Sequence, residues 1–133
     1  MPEPLIIRIS DLTSTTVTRA RGTEAFRALM EVIRHSASDI SIVLVDISGA
    51  KVISGSFLDE LILRISGVSN SSLPRIGFRI GSDAEVAKLE RACSLRQVCC
   101  LYQNGHEPEM LMIRIKKEPT LQASNYPGNF FLD

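Results

Sequence analysis

The chain has 133 residues, which is enough for one domain with a single hydrophobic core and too few for two separate cores. Fifteen basic and fifteen acidic residues give a formal net charge of zero. This balance argues against a protein that binds nucleic acid or anionic membranes through overall charge. A hydrophobic fraction of 44% and a charged fraction of 23% are typical of a folded globular domain rather than a disordered chain.

The cellular setting is indicated by the cysteines and by the first residues. Cys93, Cys99 and Cys100 cannot all pair within the chain, which favours a reducing cytoplasm. The N-terminal residues lack the basic start and the long apolar run of a signal peptide. The sequence contains no stretch of about 18 consecutive apolar residues, so no membrane-spanning helix is predicted. We therefore expect a cytoplasmic protein without a membrane partner.

Strands and helices are predicted to alternate along the chain. The apolar, β-branched residues from Leu5 to Ile9 predict a first strand, and residues 15–18 predict a further short extended segment. Apolar residues at helical spacing then predict a helix that is capped by Thr23 and ends at about His35. The unbroken apolar segment from Ile40 to Ile47 predicts a central strand covered on both faces.

The second helix is predicted by apolar residues at helical spacing, namely Leu58, Leu61, Ile62 and Ile65. Either Ser54 or Ser56 is expected to cap this helix. The negative charges of Asp59 and Glu60 are expected to interact favourably with its positive N-terminal end. Gly67 is expected to end the helix. Burial of the apolar residues against a sheet would hold the helix in place.

Further elements complete the predicted order. Alternation over 76–80 predicts a strand, and the spacing of Ser82 and Glu85 predicts a capping box at the start of a third helix. Residues 98–101 and 110–115 predict two late strands.

The alternation of strands and helices predicts an α/β fold in which at least part of the sheet is parallel. We expect one domain over residues 1–118, with a mixed sheet and about three helices. Residues 119–133 are expected to form an irregular C-terminal tail whose aromatic residues pack on the domain or on a partner.

Known patterns of catalytic residues are not found in the sequence. The two histidines, His35 and His106, are predicted at a helix end and in a polar turn, where structural roles account for them. No Gly-x-Ser-x-Gly elbow, phosphate-binding loop or spacing of zinc ligands occurs. We therefore expect no enzyme activity, no catalytic residue, no metal site and no cofactor.

The junction between the central strand and the second helix is the most informative segment. Asp46 and the turn at Ser48-Gly49 lie at the carboxyl end of a predicted strand, where ligands and partners commonly meet α/β domains. Free amides at the start of the following helix would favour an anion. A simple helix cap followed by a core helix explains the same residues, and both interpretations remain open.

The segment from Val43 to Leu61 reads VLVDISGAKVISGSFLDEL and resembles the core of STAS domains, the fold of anti-sigma-factor antagonists. It is closest to the STAS-like domains of unassigned function. Their strand–loop–helix segment ends in a serine cluster, a phenylalanine and an acidic-leucine pair. The order of predicted elements over residues 5–115 agrees with this resemblance.

The resemblance implies a partner and a switch. In the antagonist family a kinase partner phosphorylates a serine at this helix start, and the added phosphate controls docking on that ATP-binding partner. A phosphate adds about −1.5 to −2 charges, which is enough to change an interface. Ser54 stands here where the family usually has aspartate, Gly55 stands at the phosphoacceptor, and Ser56 follows one position later. Ser56 as a plain helix cap and Ser56 as a phosphosite are both open.

The sequence therefore predicts a non-catalytic regulatory module that binds another protein, with a histidine-kinase-like ATPase as the partner that the resemblance implies. No nucleic-acid partner is expected. The residues predicted to bind the partner or to accept a phosphate are Asp46, Ser48, Gly49, Ser54, Gly55, Ser56, Phe57 and Glu60.

Two alternatives belong to other functional classes. One is a sensor of a small ligand, a nucleotide or an anion, which would use the loop and helix start over residues 48–56. The other is a thiol enzyme or redox sensor that would use Cys93 or the pair Cys99-Cys100.

Overall fold

A computed structural model describes residues 3–36, 39–68, 73–105, 107 and 109–113. The strands are β1 (Leu5–Arg8), β2 (Ile42–Asp46), β3 (Arg75–Ile80), β4 (Cys100–Asn104) and β5 (Met110–Ile113). The helices are α1 (Arg19–Arg34), α2 (Gly55–Val68) and α3 (Asp83–Arg96), and a short 3-10 helix covers Ile9–Asp11. The predicted α/β fold class, with a mixed sheet and three helices, is confirmed. The predicted tail over 119–133 lies outside the described residues.

The five strands form one sheet in the order β1-β2-β3-β4-β5. Strands β1 to β4 are parallel, and β5 runs antiparallel to β4. Parallel strands in sequential order, joined by right-handed crossovers, place all three helices on the same face of the sheet. Helix α1 packs on α2 and α2 packs on α3, so α2 is the middle helix.

The core fills the space between the sheet and these helices. Its largest fully buried side chains on the strands and on α2 include Val43, Val45, Phe78, Phe57, Leu58 and Leu61. Burial of each such side chain contributes roughly 1.5–3 kcal/mol, which explains how α2 is held on the sheet. In the part of the chain that the structure describes, no helix is long and apolar enough to cross a membrane.

Several predicted helix boundaries are corrected by the structure. Helix α1 begins one turn before the predicted start, because Thr18 is its N-cap and the Thr18 side chain accepts a hydrogen bond from the Arg21 amide. The segment at 15–18 is a connecting loop rather than a strand. Gly67 lies inside α2 and does not end it. The predicted capping box is confirmed at Ser82, whose hydroxyl accepts a hydrogen bond from the Glu85 amide.

Gly77 lies in β3 at a point where the neighbouring strand approaches closely. Its register partner is Leu101 of β4. A Cβ atom at position 77 would lie 2.6 Å from the Leu101 carbonyl oxygen and 2.8 Å from the Leu101 Cβ. These contacts are too short for any side chain, so glycine allows β3 and β4 to pair at this position.

We expect Gly77→Ala to lower the free energy of unfolding by about 1–3 kcal/mol, because the added methyl group forces the two strands apart. The matched control is Gly67→Ala in α2, where an added Cβ meets no atom within 4 Å. Alanine at that helical position is expected to stabilise the protein by up to about 1 kcal/mol. Urea unfolding of both variants checks this, and similar effects at the two positions would contradict the close-packing argument.

Candidate functional site

The start of α2 is organised by Ser54. Its Oγ accepts a hydrogen bond from the Phe57 amide at 3.0 Å, and its carbonyl oxygen accepts one from the Leu58 amide at 3.2 Å. Ser54 is therefore the N-cap, which decides between the two serines that the sequence left open. Gly55 and Ser56 become the first two residues of α2 and are both exposed.

Ser54 also joins this helix start to the loop that leads into α1. The Ser54 Oγ donates a hydrogen bond to the Val17 carbonyl oxygen at 2.5 Å, and the Ser54 amide donates to the Thr16 carbonyl oxygen at 3.0 Å. In return, the buried Thr16 hydroxyl donates to the Val52 carbonyl oxygen. The loops at 12–18 and 50–54 are thus held together as one surface.

Sequence reasoning missed this connection between the two loops. Thr16 and Val52 are separated by 36 positions, and Ser54 and Val17 by 37. Hydrogen bonds between loop backbones leave no periodic signal along the chain, so only the fold reveals them.

Asp46 and Ser48 form the turn at the carboxyl end of β2. The Asp46 Oδ1 accepts hydrogen bonds from the Ser48 amide at 2.9 Å and from the Ser48 hydroxyl at 2.6 Å. Together with Gly49, these residues line a cleft of about 470 Å³. The predicted site residues therefore fall into two groups, the cleft and the start of α2.

Phe57 requires a correction. It is predicted on the binding surface, but its side chain is fully buried in the core beneath α2. Its position in the helix turns it toward the sheet, along with Leu58 and Leu61. Phe57 therefore contributes packing energy and offers no contact to a partner in this conformation.

Glu60 is half-buried rather than freely exposed. Its carboxylate accepts hydrogen bonds from Arg64 Nε at 2.9 Å and from the Thr23 hydroxyl at 3.4 Å. Arg19 lies 3.6 Å from its other oxygen. The negative charge that Glu60 places near the start of α2 is thus paired with two arginines.

Asp59 holds the three helices together. It lies on α2 with only 8% of its side chain exposed. Arg96 of α3 donates to both carboxylate oxygens, each at 2.6 Å, and Arg19 of α1 donates to Oδ2, also at 2.6 Å. The same carboxylate thereby fixes α2 relative to its neighbour on either side.

The pKa of the Asp59 carboxyl shows how strong this pairing is. Hydrogen bonding from Arg96 lowers the pKa to about 2, against the opposing effect of burial and with further help from Arg19. Asp59 in turn raises the pKa of Arg96. The sequence indicated only a favourable interaction between the Asp59 charge and the positive start of the helix. Its arginine partners lie 37 and 40 positions away.

The cysteines give no support to thiol chemistry. Cys93 and Cys100 are buried and Cys99 is half-buried. A hydrogen bond with the Cys93 thiol and burial together raise the pKa of Cys100 well above its ordinary value. A reactive cysteine needs a lowered pKa, so Cys100 fits a small apolar core residue better than a nucleophile.

Among the residues that the structure describes, histidines and acidic residues form no cluster suited to metal binding. His35 is the C-cap of α1, where its amide donates a hydrogen bond to the Glu31 carbonyl oxygen at 3.2 Å. His106 lies outside the described residues. Within the ranges described above, no three His, Cys, Asp or Glu side chains come together in a geometry that would hold a metal ion.

Comparison of the chain with protein-family models, with curated proteins and with solved structures gives no match. The resemblance to STAS-like domains therefore rests on the sequence segment 43–61.

The Asp59 cluster predicts a specific dependence of stability on pH. A folded-state pKa below the unfolded value of 3.8 stabilises the protein above about pH 4, and this stabilisation is lost as the pH falls toward 2. We expect Asp59→Asn to cost about 2 kcal/mol at pH 7, and we expect the difference from the original chain to shrink below about pH 4.

Urea unfolding between pH 7 and pH 2.5 measures this difference. The control is Asp39→Asn, which replaces an exposed carboxylate. It should stay within about 0.5 kcal/mol of the original chain at each pH. A cost at Asp59 that does not change with pH would show that the carboxylate charge is not responsible.

Proposed function

We propose that this chain is a non-catalytic regulatory module of STAS-like type that binds another protein at the start of α2. The observation that carries the proposal is an exposed serine, Ser56, two positions after Ser54, whose hydrogen bonds join two loops that each carry an exposed apolar side chain. Val17 is 49% exposed and Val52 is 58% exposed. We refer to Val17, Val52, Gly55 and Ser56 as the docking surface.

The docking surface is built to bind without rearranging. Val17 and Val52 lie on the two loops that Ser54 and Thr16 hold together by hydrogen bonds. A partner that covers their apolar surface gains roughly 25 cal/mol per Å² removed from water. Because the loops are already fixed, little conformational entropy is lost on binding.

Ser56 provides a site for a switch on this surface. Its hydroxyl has no hydrogen-bond partner among the described residues, whereas the Ser54 hydroxyl both donates and accepts. A phosphate on Ser54 would break the contact between the loops. A phosphate on Ser56 would lie in the first turn of α2, where the helix end favours negative charge by about 0.3–1 kcal/mol.

Phosphorylation of Ser56 is expected to weaken docking. The phosphate would carry about −1.5 to −2 charges into a surface where Val17 and Val52 are covered by the partner, and it would have to lose water there. Glu60 does not oppose the modification strongly, since Arg64 and Arg19 already pair with it. The kinase that adds the phosphate would be an ATPase of the histidine-kinase type, as the sequence resemblance implies.

The docking surface is tested by photo-crosslinking from two positions. A crosslinking residue is placed at Val52 or, as a matched control, at Leu95, which is 69% exposed on α3. We expect a protein with a kinase-type ATP-binding domain to crosslink from position 52 and not from position 95. Val52→Asp should reduce its capture by about tenfold or more, and Leu95→Asp should not, because only the first variant places a charge in the interface.

Equal crosslinking from both positions, or capture that Val52→Asp leaves unchanged, would contradict the proposal. Both substitutions replace exposed side chains. Circular dichroism of the two variants should therefore match that of the original chain, and a loss of folding in Val52→Asp alone would be detected directly.

The captured partner then distinguishes the two serines. With labelled ATP, we expect phosphate on the original chain and on Ser54→Ala, and none on Ser56→Ala. Ser54→Ala loses the helix cap at a cost of about 1 kcal/mol but keeps the exposed hydroxyl of Ser56. Ser56→Glu should weaken binding to the partner. Phosphate that remains on Ser56→Ala would contradict the assignment of Ser56.

A further inference from the structure

A cleft of about 470 Å³ opens between the connection that leaves β1 and the connection that leaves β2. This volume falls in the range of small-molecule sites, which is roughly 300–1,000 Å³. The cleft lies at the carboxyl ends of two parallel strands, which is a common location for ligands in α/β proteins. Its walls are held in place by the hydrogen bonds between Thr16, Val52 and Ser54.

Two unpaired cations line this cleft. Arg8 ends β1 and Lys51 follows the turn after β2. Within the described residues, neither side chain has an ion-pair or hydrogen-bond partner. By contrast, Arg19, Arg64 and Arg96 are all bound to carboxylates. Free guanidinium and ammonium groups on the same cleft are suited to a phosphate, which Arg binds through two parallel hydrogen bonds and Lys binds as a point charge.

Asp46 adds a second kind of recognition. It pairs in register with Arg8 across the two strands and lines the same cleft. Its Oδ1 is occupied by Ser48, whereas Oδ2 has no partner in the described part of the chain. A carboxylate oxygen is an acceptor for a ligand hydroxyl. The exposed hydroxyls of Ser10 and Ser14 line the cleft as well.

We propose that this cleft binds a small phosphorylated molecule that carries free hydroxyl groups, of the sugar-phosphate class. The phosphate contacts Arg8 and Lys51, and a ligand hydroxyl donates to Asp46. Ala50 supplies apolar surface for the carbon skeleton. The site does not depend on the docking surface for its chemistry, although Val17 and Val52 border both.

The test is a titration of the full chain with ribose 5-phosphate, in which the amide signals are monitored by two-dimensional NMR. Inorganic phosphate and ribose are titrated separately. We expect saturable shifts for residues 14–17 and 48–52 with ribose 5-phosphate, binding of inorganic phosphate that is about tenfold weaker, and no saturable shifts with ribose.

Substitutions assign the contacts. Arg8→Ala and Lys51→Ala should each weaken binding of ribose 5-phosphate by about tenfold, since each removes a charge-assisted contact. Asp46→Asn should reduce the preference for ribose 5-phosphate over inorganic phosphate. The matched control, Arg91→Ala, removes an exposed arginine on α3 and should leave the affinity unchanged.

Three results would overturn the proposal. One is the absence of saturable shifts with either phosphate at millimolar concentration. The second is binding that Arg8→Ala and Lys51→Ala leave intact. The third is equal affinity for ribose 5-phosphate and inorganic phosphate, which would remove the role of the hydroxyl groups. Because no partner protein is present, none of these results bears on the docking surface.

Discussion

Asp59 places a carboxylate between α1 and α3, and its contacts with Arg19 and Arg96 set the position of the middle helix. Removal of this carboxylate from water is costly, and the cost is offset only when its oxygens are well bound. Three donors at 2.6 Å meet that requirement here. Apolar packing alone would tolerate small rotations and shifts of α2, whereas these directional contacts favour one arrangement. The start of the helix is therefore held in a defined place over the sheet.

Both candidate surfaces depend on that placement. Helix α2 begins one turn before Asp59, so the contacts of Asp59 with Arg19 and Arg96 also position Ser54. Ser54 in turn binds the loop at Thr16 and Val17. This contact brings the connection after β1 against the connection after β2. The joined loops carry the exposed Val17 and Val52, which line the cleft together with Arg8 and Lys51. The exposed Ser56 lies in the first turn of α2, two positions after Ser54.

The order of the strands explains why the functional features gather in these loops. Sequential parallel strands put every helix on one face, and such a sheet lacks the reversal of strand order at which ligand crevices usually open. A cleft at the carboxyl edge must then be built by the connections themselves. Here the long segment between the 3-10 helix and α1 supplies one wall. The buried hydroxyl of Thr16 stabilises that wall without help from a regular element.

The sequence by itself determined the α/β class, the burial of β2 and the start of α2 near Ser54, because local periodicity and capping residues report which faces are buried and where a helix begins. It did not determine the place of β2 in the sheet, where it is the second strand rather than the central one. It also pointed to Asp46, Ser48 and Gly49, which line the cleft. Only the tertiary structure decided that Ser54 rather than Ser56 caps α2, that Phe57 faces the core, and which arginines bind Asp59. These outcomes depend on contacts between residues far apart in the chain. A local pattern encodes the tendency of a side chain to be buried, but it does not encode which distant polar group that side chain will contact.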